Sequence, residues 1–465
     1  MEHHRDHQLV KRIVMLVQQN KDLKMELREL RERHAELLTK HEEYEQILSK
    51  HPHIRDIREV LNAEASVVQK FNMATVLYAD IYGFSEIVSE TNNPDIIDLY
   101  DNLIVQFDQI IRKYPIVKIH TIGDSFMCAG GIPQKNITNP VEVVLAAFEM
   151  LQLTKKYSAI NGDKWDIRLA IHTGPVTAAV NGKTKVNYDI KGDTVNITSR
   201  LESASPKGGL MISVMTYELV KEFFDCEYFG KLPVKYKGLL DVYSIVGIKS
   251  ELSMDELGLV PNALFSTRFG LIRFHDLQEE VFDMLEDGLP SDLFYHNLKH
   301  TVDVVTEVEL IGWAEGVSDD EMLLLKTAAL FHDVGHTIAY DNHEFHSSEI
   351  ARKILPKYAY NPQQIEDICK IIMVTKLPTQ PQTLLEEIIC DSDLDYLGRI
   401  DFIPVSNTLY EELKVRNKIG TLNEWNKLQI SFISKHQYFT QTARRLREVN
   451  KQSQIERIRQ LIDVN

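Results

Sequence analysis

The spacing of apolar residues changes twice along this chain of 465 residues, and the two changes divide it into three segments. Between Leu9 and Leu48 the apolar residues keep a heptad. From about Phe71 to Gly247, short β-like runs alternate with helix-like ones, and after about Ser266 apolar residues recur three and four positions apart. A chain of this length also exceeds what one hydrophobic core usually supports. We therefore predict a multidomain protein made of a coiled coil, an α+β domain and an all-α domain.

The heptad segment predicts a parallel coiled coil that joins two copies of the chain. Apolar seams of this kind bury against a second helix, and a single Asn at an a position tends to fix a parallel, in-register dimer. The alternative is a lone amphipathic helix packed on its own domain. Pro52 ends the pattern, and a short helical connector is expected over residues 53–71. The d positions are Leu9, Leu16, Leu23, Leu30, Leu37 and Tyr44, and the a positions are Ile13, Asn20, Leu27, His34, His41 and Leu48.

The charge balance limits the partners that the chain can have. The sequence contains 52 Lys and Arg against 68 Asp and Glu, a formal net charge of −16, which argues against nucleic acid or an anionic membrane surface. No apolar run approaches the length of a membrane span, and the first residues show no signal-peptide core. The 4 cysteines have no CxxC spacing, which is typical of reduced thiols. We expect a cytoplasmic protein without membrane insertion.

Two aspartates of the second segment form the first candidate site. The apolar run Val76–Ala79 predicts a buried strand, and Asp80 follows it directly. Turns between strands are predicted at two dipeptides that begin with glycine, Gly123-Asp124 and Gly174-Pro175. If the strand that ends at Asp80 lies beside the strands joined by Gly123-Asp124, the carboxylates of Asp80 and Asp124 meet at one end of a sheet. Two carboxylates there suit Mg²⁺ or Mn²⁺ bound together with a triphosphate, although either aspartate alone is more typical of a turn or a cap.

Four stretches of this segment together resemble the catalytic domain of class III nucleotidyl cyclases. In chain order they are "VLYADIYGFSEI", "TIGDSFM", "RLAIHTGPV" and "YDIKGDTVNITSRLESA". The resemblance covers residues 71–247. It implies a ferredoxin-like βαββαβ core that works as a head-to-tail homodimer with shared active sites, and a reaction that converts a nucleoside triphosphate to a 3′,5′-cyclic nucleotide and pyrophosphate. The coiled coil, predicted independently, would supply the dimer.

The resemblance also implies a role for individual residues. Asn196 and Arg200, spaced i and i+4, fall on one face of a predicted helix, as residues that act on the same substrate must. The residues and their implied roles are Asp80, Asp124 and the backbone carbonyl of Ile81 as metal ligands, Asn196 as the residue that orients the ribose, Arg200 as the residue that meets the transition-state phosphate, and Lys235, with Lys237 as the fallback, as the triphosphate contact.

The choice of base depends on two further positions. Asp189 stands where adenylyl cyclases carry an Asp that accepts a hydrogen bond from the adenine amino group. His120 stands at the companion position, where adenylyl cyclases usually have Lys and guanylyl cyclases have Glu. On a regular strand Lys118 would share the face of His120, and a neutral imidazole can itself donate one hydrogen bond. The residues therefore favour ATP over GTP, with some loss of base selectivity.

Histidines and aspartates crowd the third segment, in "YHNLKHTVDVV", "LFHDVGHT", "NHEFHSSEIA" and "CDSDLDYLG". A lone histidine in a helix is usually a surface or satisfied core residue, but here six fall close together, with Asp333 beside one of them. Mixed His and Asp ligands suit Mn²⁺, Fe²⁺, Zn²⁺ or Mg²⁺, and a hydroxide bridging two metals is a nucleophile for phosphoester hydrolysis. The six histidines are His296, His300, His332, His336, His343 and His346.

These motifs resemble the HD superfamily of metal-dependent phosphohydrolases over about residues 280–440. The first two look particularly like its cyclic-nucleotide phosphodiesterases, in which the position of His296 is the general acid. "NHEFHSSEIARKIL" looks more like general bacterial-type HD hydrolases, and no counterpart of the purine-binding glutamine is evident, so the substrate stays open. The resemblance implies His300, His332, Asp333 and Asp393, or Asp391 in its place, at a first metal, and His336 with His343 or His346 at a second. His343 is equally consistent with a helix cap, and Glu344 with holding a metal-bound water or with an ordinary first-turn acid.

The sequence thus predicts a bifunctional cyclic-nucleotide enzyme that acts as a homodimer. The cyclase domain would convert ATP to cyclic AMP, and the HD domain would hydrolyse a phosphoester, with cyclic AMP the first candidate because the same chain makes it. Two alternatives stay open: an HD domain that senses a ligand without hydrolysis, and an impaired cyclase domain that serves as a nucleotide-binding scaffold. The cofactors expected are Mg²⁺ or Mn²⁺ in the first site and a divalent transition metal or Mg²⁺ in the second. The predicted boundaries are 1–50 coiled coil, 51–70 connector, 71–247 cyclase domain, 248–265 linker and 266–465 HD domain.

Overall fold

A computed structural model describes most of the chain after residue 66. The coiled-coil segment lies outside the described residues, as do Asp124, Lys235 and Lys237. By compactness the chain divides into two units, one of residues 1–69 with 178–189 and the other of residues 70–177 with 190–465. The exposed Asp189 belongs to the first unit, and the other described site residues belong to the second. The described residues are 67–82, 94–122, 125–161, 166–181, 187–234 and 238–462.

The described strands form one mixed sheet of eight strands. Their order is β2-β3-β1-β4-β6-β8-β7, with β5 pairing with β4 off this path. The pairing of β4 with β6 is parallel, whereas β1 with β3, β2 with β3, β6 with β8 and β7 with β8 are antiparallel. The strands are β1 Val67–Tyr82, β2 Ile116–Ile122, β3 Ser125–Gly130, β4 Asp166–Asn181, β5 Asn187–Lys191, β6 Leu210–Ser213, β7 Phe224–Val234 and β8 Gly238–Ile248.

Helices alternate with the strands in the first part of the described chain, and after β8 the regular elements are all helical. No described helix combines the length and the apolar character that crossing a membrane requires. Helices α1 Pro94–Ile111, α2 Asn139–Asn161, α3 Asp193–Ala204 and α4 Val214–Val220 alternate with the strands. The later helices are α5 Ala263–Gly288, α6 Leu298–Glu315, α7 Asp319–Phe331, α8 His343–Ile354, α9 Pro362–Met373, α10 Leu384–Asp393, α11 Phe402–Val415, α12 Leu422–Lys435, α13 Gln441–Ala443 and α14 Val449–Gln460. A mixed α/β region followed by a helical region confirms the predicted fold classes at this level.

Helix α5 belongs to two hydrophobic cores. Phe265 and Phe269, near its start, are buried in the core that packs under the sheet. Phe274 and Leu277, further along the same helix, are buried in the core of the helical region. These apolar positions recur at helical spacing over 26 residues, so one continuous helix buries two successive stretches in two different cores. The helix begins at Ala263, inside the segment predicted as a linker.

Two local predictions are wrong. Strand β1 begins at Val67, so a helical connector cannot extend to Phe71. Strand β4 runs through Gly174-Pro175 without a turn, as one strand of 16 residues. Gly174 instead allows the start of α3 to approach β4 closely, because a Cβ atom there would lie 2.7 Å from Oγ1 of Thr194.

A carboxylate is buried where the sheet region meets α5. Glu142, in the first turn of α2, is 4% exposed. Its side chain accepts a hydrogen bond from Nδ2 of Asn136 at 2.9 Å and lies 3.9 Å from the Arg273 guanidinium. Burial nevertheless raises the pKa of Glu142 from 4.5 to about 7, since the nearby cation and the hydrogen bond only partly offset the desolvation.

Replacing Glu142 by Gln is expected to remove one component of the pH dependence of stability. Because the folded-state pKa lies above the ordinary value, the stabilisation is complete below about pH 4.5 and is lost as the pH rises through about 7. At pH 8 the variant should therefore gain roughly 1–3 kcal/mol in free energy of unfolding relative to wild type. Urea unfolding between pH 4.5 and 8 measures it, with the exposed Glu218→Gln as the control. Parallel pH profiles for wild type and E142Q would contradict the assignment.

Candidate functional site

Strand β1 carries Asp80 to the end of the sheet where β2 ends and β3 begins. Asp80 pairs with Ser125, the first residue of β3, and Ser125 Oγ donates a hydrogen bond to Asp80 Oδ1 at 3.3 Å. Ile122, the last residue of β2, pairs with the same Ser125. Ile81 follows Asp80 in β1 and is buried. The position of Asp124 is not described, so the structure supplies one of the two predicted carboxylates.

Helix α3 presents Asn196 and Arg200 on an exposed face. Nη1 of Arg200 donates to the carbonyl oxygen of Pro233 in β7 at 3.4 Å. The start of the helix is tied to β4, because Oγ1 of the buried Thr194 donates to the carbonyl oxygen of Pro175 at 2.7 Å. The sheet therefore fixes the helix while leaving both predicted polar groups accessible to a ligand.

A bulge in β2 separates Lys118 from His120. Lys118 pairs with Cys128 and His120 with Met127, and the register shifts between the two pairs. Since neighbouring residues of a strand point to opposite faces, Lys118 shares the face of Cys128 and His120 the face of Met127. Nζ of Lys118 lies 3.0 Å from the Asp108 carboxylate on α1. The expectation that Lys118 shares the face of His120 is wrong, and the bulge is the reason.

In the helical region three side chains from different helices converge. His300 lies in the first turn of α6, His332 directly after α7, and Asp393 at the end of α10. Nε2 of His300 is 3.1 Å and Nε2 of His332 is 3.6 Å from Oδ1 of Asp393, and the two nitrogens lie 3.3 Å apart. Nδ1 of His332 lies 2.8 Å from the carbonyl oxygen of Ala329. An N–H at Nδ1 would donate to that carbonyl and leave the Nε2 lone pair directed at the cluster.

The side chains that cap the helices hold these residues in place. Asn297 accepts hydrogen bonds from the backbone N–H groups of Lys299 and His300 at 2.9 and 3.2 Å, which fixes the start of α6. Ser318 forms a capping box at the start of α7, and Thr383 does so at the start of α10. Each of the three helices thus has a defined start, and its ligand a defined position.

A second group of donors lies beside the first, and Asp333 belongs to both. Its Oδ2 is 3.2 Å from Nε2 of His332 and 3.5 Å from Nε2 of His300. Its Oδ1 is 3.9 Å from Nε2 of His336 and 3.4 Å from Nε2 of His343. One donor atom each of His296, Asp333 and His336 lies within 4.8 Å of the others. Asp333 therefore has the position of a carboxylate that can bridge two cations.

The donor set fits divalent cations. Oδ2 of Asp333 and both ring nitrogens of His336 are buried without a hydrogen-bond partner, although buried polar atoms are normally paired. Burial lowers the pKa of His336 to about 3, so its imidazole is neutral and able to ligate a metal at pH 7. Burial opposes ionisation of Asp393, but hydrogen bonds from His300 and His332 outweigh it and hold the pKa of this carboxyl well below its usual value. Burial opposes protonation of His332, but Asp333 and Asp393 outweigh it and hold the pKa of this imidazole well above its usual value, so a metal bound there would displace a proton. Imidazoles and carboxylates in this combination are typical ligands of Mn²⁺, Fe²⁺, Zn²⁺ and Mg²⁺.

The structure separates the residues that the sequence left as alternatives. Asp391 is buried and accepts hydrogen bonds from the backbone N–H groups of Phe439 and Thr440 at 2.9 and 2.8 Å, so it anchors the chain before α13. Burial raises the pKa of Asp391 to about 6. Between the two candidate histidines of α8, His343 is the one that reaches Asp333, and its ring stacks on that of His336 with centroids 3.9 Å apart.

Sequence reasoning missed Glu412, which holds His296. The carboxylate, on α11, is fully buried, and its Oε1 lies 2.5 Å from Nδ1 of His296. Its Oε2 accepts hydrogen bonds from the backbone N–H groups of Tyr295 and His296 at 2.9 and 3.2 Å. Burial would raise the pKa of Glu412, but the contacts with His296 and these backbone bonds hold it below its usual value. In the sequence nothing distinguishes Glu412 from its exposed neighbour Glu411.

A cavity of about 470 Å³ opens beside the two donor groups. His296, Asp333 and Asp393 line one part of it, and apolar side chains of α11 and α12, together with Gln429, line another. Residues 340–344 and 375–377 also contribute to the lining. The Gln429 amide is fixed, because Oε1 accepts a hydrogen bond from the hydroxyl of Ser406 and Nε2 donates to Oδ1 of Asn426 at 3.4 Å. Sequence reasoning missed this glutamine, because its helix also buries Asn426 and its burial appears only in the fold.

Comparison with known sequences finds two families. The adenylate and guanylate cyclase catalytic domain family matches residues 66–247, and the HD domain family matches residues 297–395. An "Adenylate cyclase" of Mycobacterium tuberculosis is 32% identical over 183 residues, which are 39% of this chain and 41% of that protein. The "Receptor-type guanylate cyclase gcy-8" of Caenorhabditis elegans is 36% identical over 187 residues, 39% of this chain and 16% of that protein. The chain thus spans less than half the length of either relative.

Solved structures match the same part of the chain. The adenylyl cyclase CyaB from P. aeruginosa is 30% identical, with a TM-score of 0.37, over 40% of this chain and 100% of that one. The guanylate cyclase domain of RhGC from Catenaria anguillulae, in complex with GTP, is 30% identical, with a TM-score of 0.37, over 39% of this chain and 100% of that one.

Asp393 and Asp391 are expected to respond differently to replacement by Asn. Asp393→Asn removes the anionic donor between His300 and His332, so affinity for Mn²⁺ in the helical domain should fall at least about tenfold. Asp391→Asn should leave that affinity within about twofold and lower the melting temperature, because an amide nitrogen cannot accept the backbone N–H groups that the carboxylate accepts.

Calorimetric titration with Mn²⁺ and thermal unfolding measure the two effects. Both variants carry Asp80→Asn as a common background, so that the heat comes from the helical domain. Loss of metal binding in the Asp391 variant, with retention in the Asp393 variant, would reverse the assignment.

Proposed function

We propose, since the chain contains a cyclase catalytic domain at residues 66–247 and an HD domain at residues 297–395, that it makes and destroys one messenger. The cyclase domain would convert ATP to 3′,5′-cyclic AMP and pyrophosphate, and the HD domain would hydrolyse cyclic AMP to AMP. The observation that carries the second half is the pair of converging donor groups beside a cavity large enough for a nucleotide.

In the cyclase domain the residues share the work on the triphosphate. Asp80, Asp124 and the carbonyl of Ile81 would hold Mg²⁺ or Mn²⁺, which lowers the pKa of the ribose 3′-hydroxyl and neutralises phosphate charge. The 3′-oxygen attacks the α-phosphorus, the bond from that phosphorus to the bridging oxygen breaks, and pyrophosphate leaves. Asn196 would orient the ribose, Arg200 would stabilise the charge on the α-phosphate, and Lys235 would contact the triphosphate.

The exposed position of α3 supports a site completed by a second copy of the chain. Asn196 and Arg200 face outward on a helix anchored to β4, where a neighbouring protomer can bring its own Asp80. Two copies would then form two sites, each with the metal-binding carboxylates of one protomer and the α3 residues of the other. The heptad between Leu9 and Leu48 remains the predicted means of holding the copies together.

ATP is the proposed substrate because Asp189 can accept the adenine amino group, and His120 can donate one hydrogen bond to the ring. Lys118 is not a replacement donor, since it lies on the opposite face of β2 and is paired with Asp108. One imidazole donor in place of the usual Lys supports ATP with imperfect discrimination against GTP.

In the HD domain the donor groups would hold two divalent cations, which supply a bound hydroxide and neutralise the phosphate. His300, His332 and Asp393 would hold one, His336 and His343 would serve the other, and Asp333 would bridge them. The hydrolysis would add the oxygen of a water molecule to phosphorus and break the bond from phosphorus to the 3′-oxygen. His296 would give its proton to the departing 3′-oxygen, with Glu412 keeping the ring in one orientation through Nδ1.

The apolar part of the cavity supports a purine as the group carried by that phosphate. A flat base would pack against side chains of α12 such as Phe432, and Gln429 would offer its amide to the base edge. Because Ser406 and Asn426 already orient that amide, the ligand would meet a preset donor and acceptor.

Full-length protein incubated with ATP and Mn²⁺ is expected to accumulate AMP. A variant with His332 and Asp333 both changed to Ala should accumulate cyclic AMP instead, because the two metal ligands of the HD site are gone. Chromatographic time courses of both nucleotides give the answer, and a parallel reaction with GTP reports base choice.

The contrasting results have definite meanings. Equal accumulation of cyclic AMP by both proteins would overturn hydrolysis of cyclic AMP and leave the HD domain with another substrate or a sensing role. A rate with GTP that equals or exceeds the rate with ATP would overturn the adenylyl assignment. Absence of any cyclic product in the reaction of the variant would overturn the cyclase half.

Glu412→Gln is expected to reduce kcat for cyclic AMP hydrolysis at least about tenfold, with little change in KM, since the general acid loses its anionic partner while the cavity is unchanged. The exposed neighbour Glu411→Gln is the matched control and should leave both constants within about twofold. Steady-state hydrolysis of cyclic AMP measures them. A rise in KM at constant kcat would assign Glu412 to substrate binding instead.

A further inference from the structure

A hydrogen-bonded contact joins the long helix α5 to the segment that precedes α2. Oδ1 of Asp276, on α5, accepts the backbone N–H of Ile137 at 2.8 Å, and its Oδ2 accepts the hydroxyl of Thr138 at 3.2 Å. One turn earlier on α5, Arg273 faces the buried Glu142. Thr138 and Glu142 are 2% and 4% exposed, so water cannot readily replace these partners. The helix is thus held to the sheet domain through directional contacts as well as apolar ones.

From this contact a chain of hydrogen-bonded polar groups, which includes the half-buried Asn136, continues into the sheet. Nδ2 of Asn136 donates to Oγ1 of Thr138 at 3.0 Å, and Nδ2 of Asn139 donates to the carbonyl oxygen of Asn136. The hydroxyl of Thr75 donates to Oδ1 of Asn139. Thr75 and Asn139 are both fully buried. The path has therefore reached β1, the strand that carries Asp80.

The same chain then crosses to β4 and β6. Oγ1 of Thr75 lies 2.9 Å from Oγ1 of Thr173, which lies 3.2 Å from Oγ1 of Thr216. Ser213 Oγ is 3.3 Å from Thr216 Oγ1 and 2.6 Å from Nδ1 of His172. All of these side chains are buried, although threonine and serine are usually found at the surface.

The end of this chain adjoins the anchor of α3. His172 and Thr173 directly precede Gly174 and Pro175, and the Pro175 carbonyl holds Thr194 at the start of the helix that carries Asn196 and Arg200. We name the connected side chains from Asp276 to His172 the polar relay. It touches β1, which carries Asp80, and β4, to which the helix with Asn196 and Arg200 is attached, and it starts in the helical domain.

We propose that the contact between α5 and the segment before α2 is a coupling device, by which the helical domain sets the geometry of the nucleotide site through the polar relay. Asp276 itself is half-buried, but the side chains of Thr138, Asn139 and Thr75 are buried and must keep their partners. A shift of Asp276 that displaces Thr138 is therefore accommodated by rearrangement of these hydrogen bonds and not by water. Helix α5 can deliver such a shift, because its further turns are packed in the core of the helical domain. The inference rests on the cyclase activity proposed above.

Three variants test the relay at two places. Asp276→Asn keeps the size of the side chain but replaces one acceptor oxygen by an N–H donor. Thr75→Val keeps the shape of the buried side chain and removes the hydroxyl at the middle of the path. Glu280→Gln is the matched control, because Glu280 lies on α5 one turn beyond Asp276 and accepts from the hydroxyl of Tyr358 at 2.6 Å, within the helical domain.

Pyrophosphate release from ATP by the full-length protein is the first readout. Asp276→Asn and Thr75→Val should each reduce the rate at least fivefold, and the double variant should be no slower than the slower single variant, because one path is broken twice. Glu280→Gln should leave the rate within twofold, and its effect should multiply with that of Thr75→Val. The proposal would be overturned if the fold-reductions of Asp276→Asn and Thr75→Val multiply in the double variant, or if Asp276→Asn leaves the rate unchanged.

Hydrogen exchange is the second readout, and it needs no catalysis. Asp276→Asn should raise amide exchange in residues 72–79 of β1 and 171–176 of β4 at least threefold, whereas Glu280→Gln should not. If Asp276→Asn reduces folding, Thr138→Val, which removes only the hydroxyl that donates to Asp276, takes its place. Unchanged exchange in a folded variant would overturn the coupling. A protein that shows the exchange changes but makes no cyclic nucleotide would overturn the proposed function and leave the coupling standing.

Discussion

The helical domain is organised around a cluster of buried imidazoles and carboxylates. Among the described residues, both nitrogens of His336 lack a hydrogen-bond partner, and the Nε2 atoms of His300 and His332 lie 3.3 Å apart beside Asp393. Each unpaired buried group costs about 1–3 kcal/mol, so a bound cation would stabilise the arrangement. We therefore expect metal binding and folding to be coupled in this domain. The apolar core and the helix caps around the site hold the donors in place against that cost.

The same constraint explains why the site has two layers. The inner donors come from the ends of α6, α7 and α10, where side chains can converge without crossing a helix. The outer residues, Glu412 and Gln429, come from α11 and α12, which close over the cavity later in the chain. An inner layer fixed by caps and an outer layer added by later helices allow the cavity wall to change without disturbing the metal ligands. Under the proposed function, α11 and α12 would therefore contribute to substrate choice.

The sequence predicted which residues the helical site contains, but not which of its polar groups pair with one another. Short motifs predicted the inner histidines and Asp333 through their resemblance to a known family, although His300 and His332 lie 32 positions apart in the chain. The choice between Asp391 and Asp393 could not be read, since it depends on which backbone N–H groups reach Asp391 from a segment almost fifty positions away. The bulge that separates Lys118 from His120 has no sequence signature, because it is a property of the β2–β3 register. Glu412 was hidden for the same reason as Asp391, since its partner is distant in the chain.

Helix α5 is the element through which the two domains would be coupled. Its early turns are part of the core under the sheet and its later turns part of the helical core, so neither domain can move against it without cost. If occupation of the cavity in the helical domain shifts this helix and changes nucleotide affinity at the sheet site, then nucleotide at the sheet site must change affinity at the cavity by the same factor. If the chain makes and destroys one messenger as proposed, the abundance of substrate at one site would then bias the other. The direction of this effect depends on whether Asp276 keeps or loses its hydrogen bonds from Ile137 and Thr138 when a ligand occupies the cavity.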